Sequence, residues 1–374
     1  MMAKKNVLFL INNLGGGGAE KVLVNLVNNL DKNKYYVTLR TLIDHGENKE
    51  DLNRTIIYES IFKKGFKGIN FLHLLPKTYI YNKIAYGQFD VIIVYLHGVL
   101  TKIVANAPSS QKTIAYLHSN MEHSPFIKSF KSKKKLQSCF NSYNAIVSVS
   151  KSVEESFKNV SGIDNNLHLI YNTFDVQGIK DKSLENIEDG SKLIGEIKLC
   201  SVGKLNKVKG YQRLLKVVKR LVAEDIHITL TIVGEGRERR TLEDFITRSQ
   251  LQNYVKLVGF QLNPYKYIAD SDLFVCSSFS EGFSSVVVES IILGVPVLST
   301  DCAGMHEILG KNNEYGMIVE NDEESLYRGL KDIVLDSELL QQYKRKAEKR
   351  ASFFSTEKAV LDVENLIDKL INNE

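Results

Sequence analysis

The chain has 374 residues, 43% of them hydrophobic and 25% charged, with a net charge of +5. That is too long for one ordinary core and too apolar for a disordered chain, so two folded domains are expected. No apolar run reaches bilayer-spanning length, the first ten residues are too short for a secretory signal, and no cysteine pair has metal-ligand spacing, so a cytoplasmic protein is expected.

Residues 6–11 read as a strand. Leu14, Gly15, Gly16, Gly17, Gly18, Ala19 and Glu20 follow, then a helix with apolar Val22, Leu23, Leu26, Val27 and Leu30. Strand, glycine loop and helix together let backbone approach a ligand closely. The glycines do not follow the dinucleotide fingerprint, and a plain glycine-rich turn competes with this reading. Residues 36–42 form a second strand, and residues 62–68 are basic with two phenylalanines. Strands at 91–96 and 113–117 end in His97 and His118, which would both point from the edge of a parallel sheet. Five lysines then fall within residues 128–135, near Phe126 and Phe130, as a solvated face or a lipid-facing one. A strand at 145–149 and a short one at 168–170 lead to Tyr171, Asn172, Thr173, Phe174 and Asp175. Residues 173–196 lose periodicity, become polar and read as a linker.

Residues 197–202 open the second domain as a strand and run into Gly203-Lys204-Leu205-Asn206-Lys207-Val208-Lys209-Gly210. Lysines at such a rim can reach a pyrophosphate as point charges. Strands at 228–233 and 255–258 end in Gly234-Glu235-Gly236 and Gly259-Phe260. Asp270 and Asp272 precede a strand without a neighbouring ligand and read as structural. The stretch at 277–307 is the most informative: a strand at 273–276 runs into it, and a Ser/Gly turn, a helix from about 284 to 293, a stop at Gly294 and a new strand from Pro296 follow. Its helix start offers the N–H groups of Phe283, Ser284 and Ser285 to an anion, and Glu281 and Glu289 flank it. Amides suit a phosphate, and carboxylates suit the hydroxyl donors of a sugar. The last helix, 356–371, is amphipathic.

Glu281 and Glu289, set in Glu-Gly-Phe and ahead of Gly294-Val295-Pro296-Val297, closely resemble the donor-site motif of retaining glycosyltransferases with the GT-B fold (glycosyl transferases group 1, family 4 type). The resemblance spans nearly the whole chain, strongly over 197–335 and more loosely over 1–150. It implies an α/β protein of two Rossmann-like domains facing across a cleft: an acceptor-side domain at 1–175, a nucleotide-sugar domain at 176–355, and a C-terminal helix at 356–374 returning to the first domain. It implies Glu281, His118, Lys209 and Lys204 as catalytic, and Glu289, Phe283, Ser284, Ser285, Gly203, Gly259 and Phe260 as donor-binding. Gly16, Gly17, Gly18 and Glu20 would form the acceptor and phosphate loop. Lys204 stands where the family usually has Arg, which keeps charge but loses bidentate geometry. Met305 departs from the usual small residue or proline before Glu307.

The expected reaction moves a sugar from a nucleotide sugar, UDP-linked in our reading, to a glycan or lipid-linked acceptor in cell-surface polysaccharide synthesis, with no metal and no cofactor. A sugar-nucleotide epimerase of the same fold and a non-catalytic nucleotide-binding subunit are the alternatives. Residues 1–172 hold 22 Lys/Arg against 12 Asp/Glu, while 173–374 hold 27 against 32. With no nucleic-acid module visible, the basic half points to an anionic membrane surface, hence peripheral placement at the inner face.

Overall fold

The computed structural model describes residues 4–15, 17–122, 124–187 and 193–372; Gly16 of the glycine loop and Asp189 and Gly190 of the expected linker lie outside them. The chain divides into two compact units, residues 1–174 with 355–374, and residues 175–354. Each is built on a wholly parallel sheet.

The first unit holds β1 (Lys5–Ile11), β2 (Tyr35–Ile43), β3 (Ile57–Phe62), β4 (Val91–Val94), β5 (Lys112–Leu117), β6 (Ala145–Ser148) and β7 (Leu167–Leu169). Their order is β3-β2-β1-β4-β5-β6-β7. Parallel strands covered on both faces need continuous apolar runs rather than alternation. Val7 to Ile11 and all of β4 meet that need and are buried. The amphipathic C-terminal helix Thr356–Asn372 belongs to this unit and lies on the Gly18–Asn29 helix. Val360, Val363, Leu366 and Ile367 are its buried stripe. Its polar edge is tied too: Glu364 accepts from the Asp31 N–H at 2.7 Å and pairs with Lys34 at 3.2 Å, while Asp368 accepts from the Tyr35 hydroxyl at 2.6 Å and pairs with Lys5 at 3.0 Å. Arg40 is a buried cation on β2, held by Glu59 at 2.6 Å and donating to the carbonyls of Ile84 and Tyr86.

The second unit holds β8 (Ile197–Val202), β9 (Ile228–Val233), β10 (Val255–Gly259), β11 (Leu273–Cys276), β12 (Val297–Thr300) and β13 (Met317–Val319), ordered β10-β9-β8-β11-β12-β13. Its core is the stripe Leu214, Leu215, Val218 and Leu221 packed on Leu230, Ile232 and Val275.

One expectation needs correction. Residues 173–196 are not all linker: Val176–Ser183 is a helix, capped by Asp175 and packed against the Tyr265–Ala269 helix. Its single buried apolar residue, Ile179, is too little to show a period. Residues 128–135 span the end of one helix, Pro125–Lys128, and the start of another, Lys133–Phe140. The flanking Phe126 and Phe130 are half-buried, packed on each other and on Lys102, with Phe126 also against Phe140.

Candidate functional site

In the second sheet, β8 is the strand from which the chain winds out in opposite directions, with β9 on one side and β11 on the other. At such a switch point the loops after the two strands leave room for a ligand at their carboxyl ends. Those loops are 203–210 and 277–284, and they carry Lys209 and Glu281. The two side chains meet: Lys209 Nζ lies 2.7 Å from Glu281 Oε1, which also accepts from Ser278 Oγ at 2.6 Å. Glu281 Oε2 accepts from no described residue. Burial works against the Lys209 charge, but the neighbouring Glu281 carboxylate outweighs it and holds the ammonium well above the usual lysine value.

Local chemistry fixes this pair. Asn206 caps the single turn Lys207–Lys209 by accepting from the Lys209 N–H at 3.2 Å. Gly210 then takes φ 66°, and a Cβ there would run into the Ser277 carbonyl. Ser277 Oγ donates to the Lys209 carbonyl at 2.9 Å, and the Phe279 N–H donates to the Val208 carbonyl at 2.7 Å. Beneath them lies Arg213, 5% exposed. Its guanidinium donates to the carbonyls of Ser277 at 2.7 Å and Ser278 at 2.9 Å and to Asn321 Oδ1 at 2.7 Å, and it stacks on Phe279 at 3.9 Å. The planar fork thus sets the height of the loop that carries Glu281. Sequence reading passed over Arg213. Its signal is a lone cation among the buried positions 211, 214, 215, 217 and 218 of the Tyr211–Ala223 helix.

Glycines bring the neighbouring loops edge to edge. Gly203 N–H donates to the Val233 carbonyl at 2.9 Å, Leu205 N–H to Glu235 at 2.9 Å, and Gly234 N–H to Gly259 at 2.8 Å. Phe260, just beyond Gly259, stands 48% exposed, and Lys204 is also exposed at this rim. The helix after β11 spans Ser285–Ile292 with Ser284 at its cap position, where the serine side chain makes no capping bond. Ser284 Oγ is buried and has no hydrogen-bond partner among the described residues, and Phe283 is buried beside it in sequence. Buried hydroxyls are normally satisfied, so this one has hydrogen-bonding capacity to offer an external group. Glu289 is 5% exposed and accepts from the Tyr265 hydroxyl at 3.4 Å. Met305 is fully buried in the core, and Gly304 packs on the Gly282 carbonyl, so the departure before Glu307 is absorbed by packing. Asp270 pairs with Lys198 at 3.0 Å and Asp272 accepts from its N–H at 2.8 Å, which are structural tasks. Among the described residues no cluster of His, Cys, Asp or Glu could hold a metal ion.

In the first unit the switch lies between β1 and β4. Gly17 caps the Gly18–Asn29 helix, with the Glu20 carboxylate folded against it. Among the described residues, four buried polar atoms that follow strand ends have no hydrogen-bond partner: Asn12 Oδ1 after β1, His97 Nδ1 after β4, His118 Nε2 after β5 and Asn172 Oδ1 after β7. His97 Nε2 bonds Ser119 Oγ at 3.2 Å, and the His118 ring lies 4.7 Å from that of Tyr95. Burial lowers the His97 pKa to about 4. Burial, helped by His97, lowers that of His118 to about 3, so both imidazoles are neutral at physiological pH. Asn12 carried no motif to mark it. It is visible only because the fold leaves its oxygen buried and unmet.

The family model "Glycosyl transferases group 1" matches residues 184–350, and "Glycosyltransferase Family 4" matches residues 16–177. A Campylobacter jejuni protein, N-acetylgalactosamine-N,N'-diacetylbacillosaminyl-diphospho-undecaprenol 4-alpha-N-acetylgalactosaminyltransferase, is 36% identical over 212 residues, 56% of each chain. The match therefore spans about half the length of that relative. The lipopolysaccharide core biosynthesis glycosyltransferase LpsD of Rhizobium meliloti is 23% identical over 92% of this chain and 93% of its own. The crystal structure of Anabaena HepE in complex with UDP superposes with a TM-score of 0.77 at 19% identity, covering 97% of this chain and 100% of that one. Two models of one enzyme class thus match the two halves in sequence order, and the chain belongs to the glycosyltransferases of the GT-B fold.

Proposed function

We propose that the protein is a retaining glycosyltransferase that moves a sugar from a UDP-sugar to a lipid-linked or glycan acceptor in cell-surface polysaccharide synthesis. The observation that carries this reading is the Lys209–Glu281 pair at the switch point, with Glu281 Oε2 open and the Ser284 hydroxyl unmet at a helix start. The donor's sugar–phosphate bond breaks with its electron pair going to the pyrophosphate oxygen. Lys209, Lys204 and the N–H groups of Ser284 and Ser285 stabilise that charge, and preorganised groups of this kind usually contribute most to catalysis. Glu281 keeps Lys209 charged through Oε1 and receives a sugar hydroxyl at Oε2. Glu289 accepts from ribose hydroxyls, and Gly203, Gly259 and Phe260 line the nucleotide. In the first unit, neutral His118 orients the transferred sugar, and the loop with Gly16, Gly17, Gly18 and Glu20 serves acceptor and phosphate. The acceptor oxygen bonds to the anomeric carbon on the face the phosphate leaves, and the acceptor's proton passes to that phosphate.

The resemblance of the 277–307 motif supports retention. UDP in the HepE structure supports the donor class, and the Campylobacter and Rhizobium names support a lipid-linked or polysaccharide acceptor. The same reading puts the protein on the cytoplasmic face of an anionic membrane, with the lysines of 128–135 each contributing about 1 kcal/mol, screened by salt. The test is incubation with a panel of UDP-sugars and an undecaprenyl-diphosphate-linked saccharide, with products read by mass spectrometry and anomeric configuration by NMR. A new glycoside with the donor's configuration is expected. Inversion would remove the retaining mechanism, and donor isomerised without acceptor would move the protein to the epimerases.

A further inference from the structure

Residues 60–153 carry 13 lysines, no arginine and only two acidic residues, Asp90 and Glu122. Inside this basic stretch, residues 66–79 expose five large hydrophobic side chains: Phe66, Phe71, Leu74, Leu75 and Tyr79. The local chain explains why they stand out. After β3 ends at Phe62, Gly68 takes φ 93° and opens a 3-10 turn, Ile69–Leu74, in which only Leu72 is buried. Residues three apart eclipse in such a turn, so Phe71 and Leu74 share a side. Phe71 is 64% exposed and Leu74 72%. Pro76 then caps the helix Lys77–Ile84, which buries Ile80, Tyr81 and Ile84 and leaves Tyr79 outside. Leu72, Ile80 and Ile84 therefore hold the segment to the fold while its apolar tip faces water.

The rim of the tip is basic. Lys63, Lys64, Lys67 and Lys77 are exposed, and none forms an ion pair with a described residue. The helix Val99–Val104 packs against the 3-10 turn, and its Lys102 donates to Ser129 Oγ at 2.7 Å. Lys102 thus bridges the helix beneath the tip to Ser129. Two copies pairing tip to tip would set one lysine rim against another. An anionic bilayer complements both parts, since its head groups meet the lysines and its acyl boundary takes the apolar residues.

We propose that residues 66–79 form a membrane-inserting foot, in which Phe66, Phe71, Leu74, Leu75 and Tyr79 enter the interface of an anionic bilayer and Lys63, Lys64, Lys67 and Lys77 rest on its head groups. This builds on the membrane-surface reading above, but it is independent of the 128–135 cluster and of the transfer chemistry. Two contributions separate by their response to salt: lysine attraction is screened, whereas insertion of apolar side chains is not.

The chain has no tryptophan, so Tyr79→Trp creates a sole indole fluorophore at the foot. With vesicles of phosphatidylcholine and phosphatidylglycerol, its emission should shift to the blue and be quenched by brominated acyl chains. A Phe71→Ser/Leu74→Ser variant should bind these vesicles at least about tenfold more weakly at both low and high salt. Replacing the four rim lysines by glutamine should weaken binding at low salt and little at high salt. Unchanged thermal unfolding and unchanged transfer to a short-chain, water-soluble acceptor would show that the variants fold and that the chemistry is separate. Vesicle binding with no change in the indole emission of the Tyr79→Trp variant would overturn the foot while leaving the membrane reading. Failure of the native protein to bind any vesicle would overturn both. A lipid-free dimer abolished by Phe71→Ser/Leu74→Ser would replace the bilayer with a second copy of the chain.

Discussion

Glu281 and Glu289 sit on the same strand–loop–helix unit but have different company. Glu281 shares one oxygen with Lys209 and Ser278 and keeps the other open, whereas Glu289 is buried within its helix beside Tyr265. A group that aligns charge at the breaking bond acts mainly in the transition state, and a group that holds ribose acts equally before and during reaction. Glu281→Gln should therefore lower kcat by about 10²-fold or more. Glu289→Gln should chiefly raise the donor KM. Steady-state kinetics with direct donor binding separates them, and a normal kcat for Glu281→Gln would invert the assignment. Because Lys209 is held charged by Glu281, a thermal melt of each variant is needed alongside to exclude collapse of the loop.

At the scale of elements, the C-terminal helix makes the clearest case. Val360, Val363, Leu366 and Ile367 are buried on it, and each such side chain is worth about 1.5–3 kcal/mol when removed from water. Their loss is comparable with the ~5–15 kcal/mol that separates a folded domain from its unfolded chain. A chain ending at Phe354 should then lose hydrogen-exchange protection in β1 and β2 while β8 and β9 keep theirs. Retained protection in β1 would mean that the helix decorates the first unit rather than completing it. The milder Asp368→Asn, which weakens the contacts to Lys5 and Tyr35, should lower the melting temperature by only a few degrees, about 1 kcal/mol of stability.

For the whole molecule, the division of charge matches the division of labour proposed above. The acidic residues are scarce in 60–153, where a lipid surface is proposed, and the proposed donor diphosphate falls to lysines and a helix start in the second unit. Those groups can neutralise a leaving diphosphate without a divalent ion, so transfer should persist in excess chelator. Loss of activity in chelator that magnesium or manganese restores would refute this assignment and give the cation the role placed here on Lys204 and Lys209.

Much of the fold and part of the site are legible in the chain alone. The apolar runs of β1, β4, β8 and β11, the glycines after them and the Glu281–Glu289 spacing specify an alternating α/β fold and locate the 277–307 stretch, because strand burial and turn geometry are local demands on residue type. Other features depend on partners far along the chain. Lys209 and Glu281 are 72 positions apart, and only the β8–β11 pairing makes them an ion pair. Arg213 supports the loop because carbonyls of Ser277 and Ser278 converge on it across the sheet edge. The helix Val176–Ser183 is hidden in a polar stretch because one buried isoleucine creates no period. The apolar tip at 66–79 shows in sequence only as the basic segment 62–68 with its two phenylalanines, since composition tells which side chains are apolar and only the packed fold decides which of them remain in water.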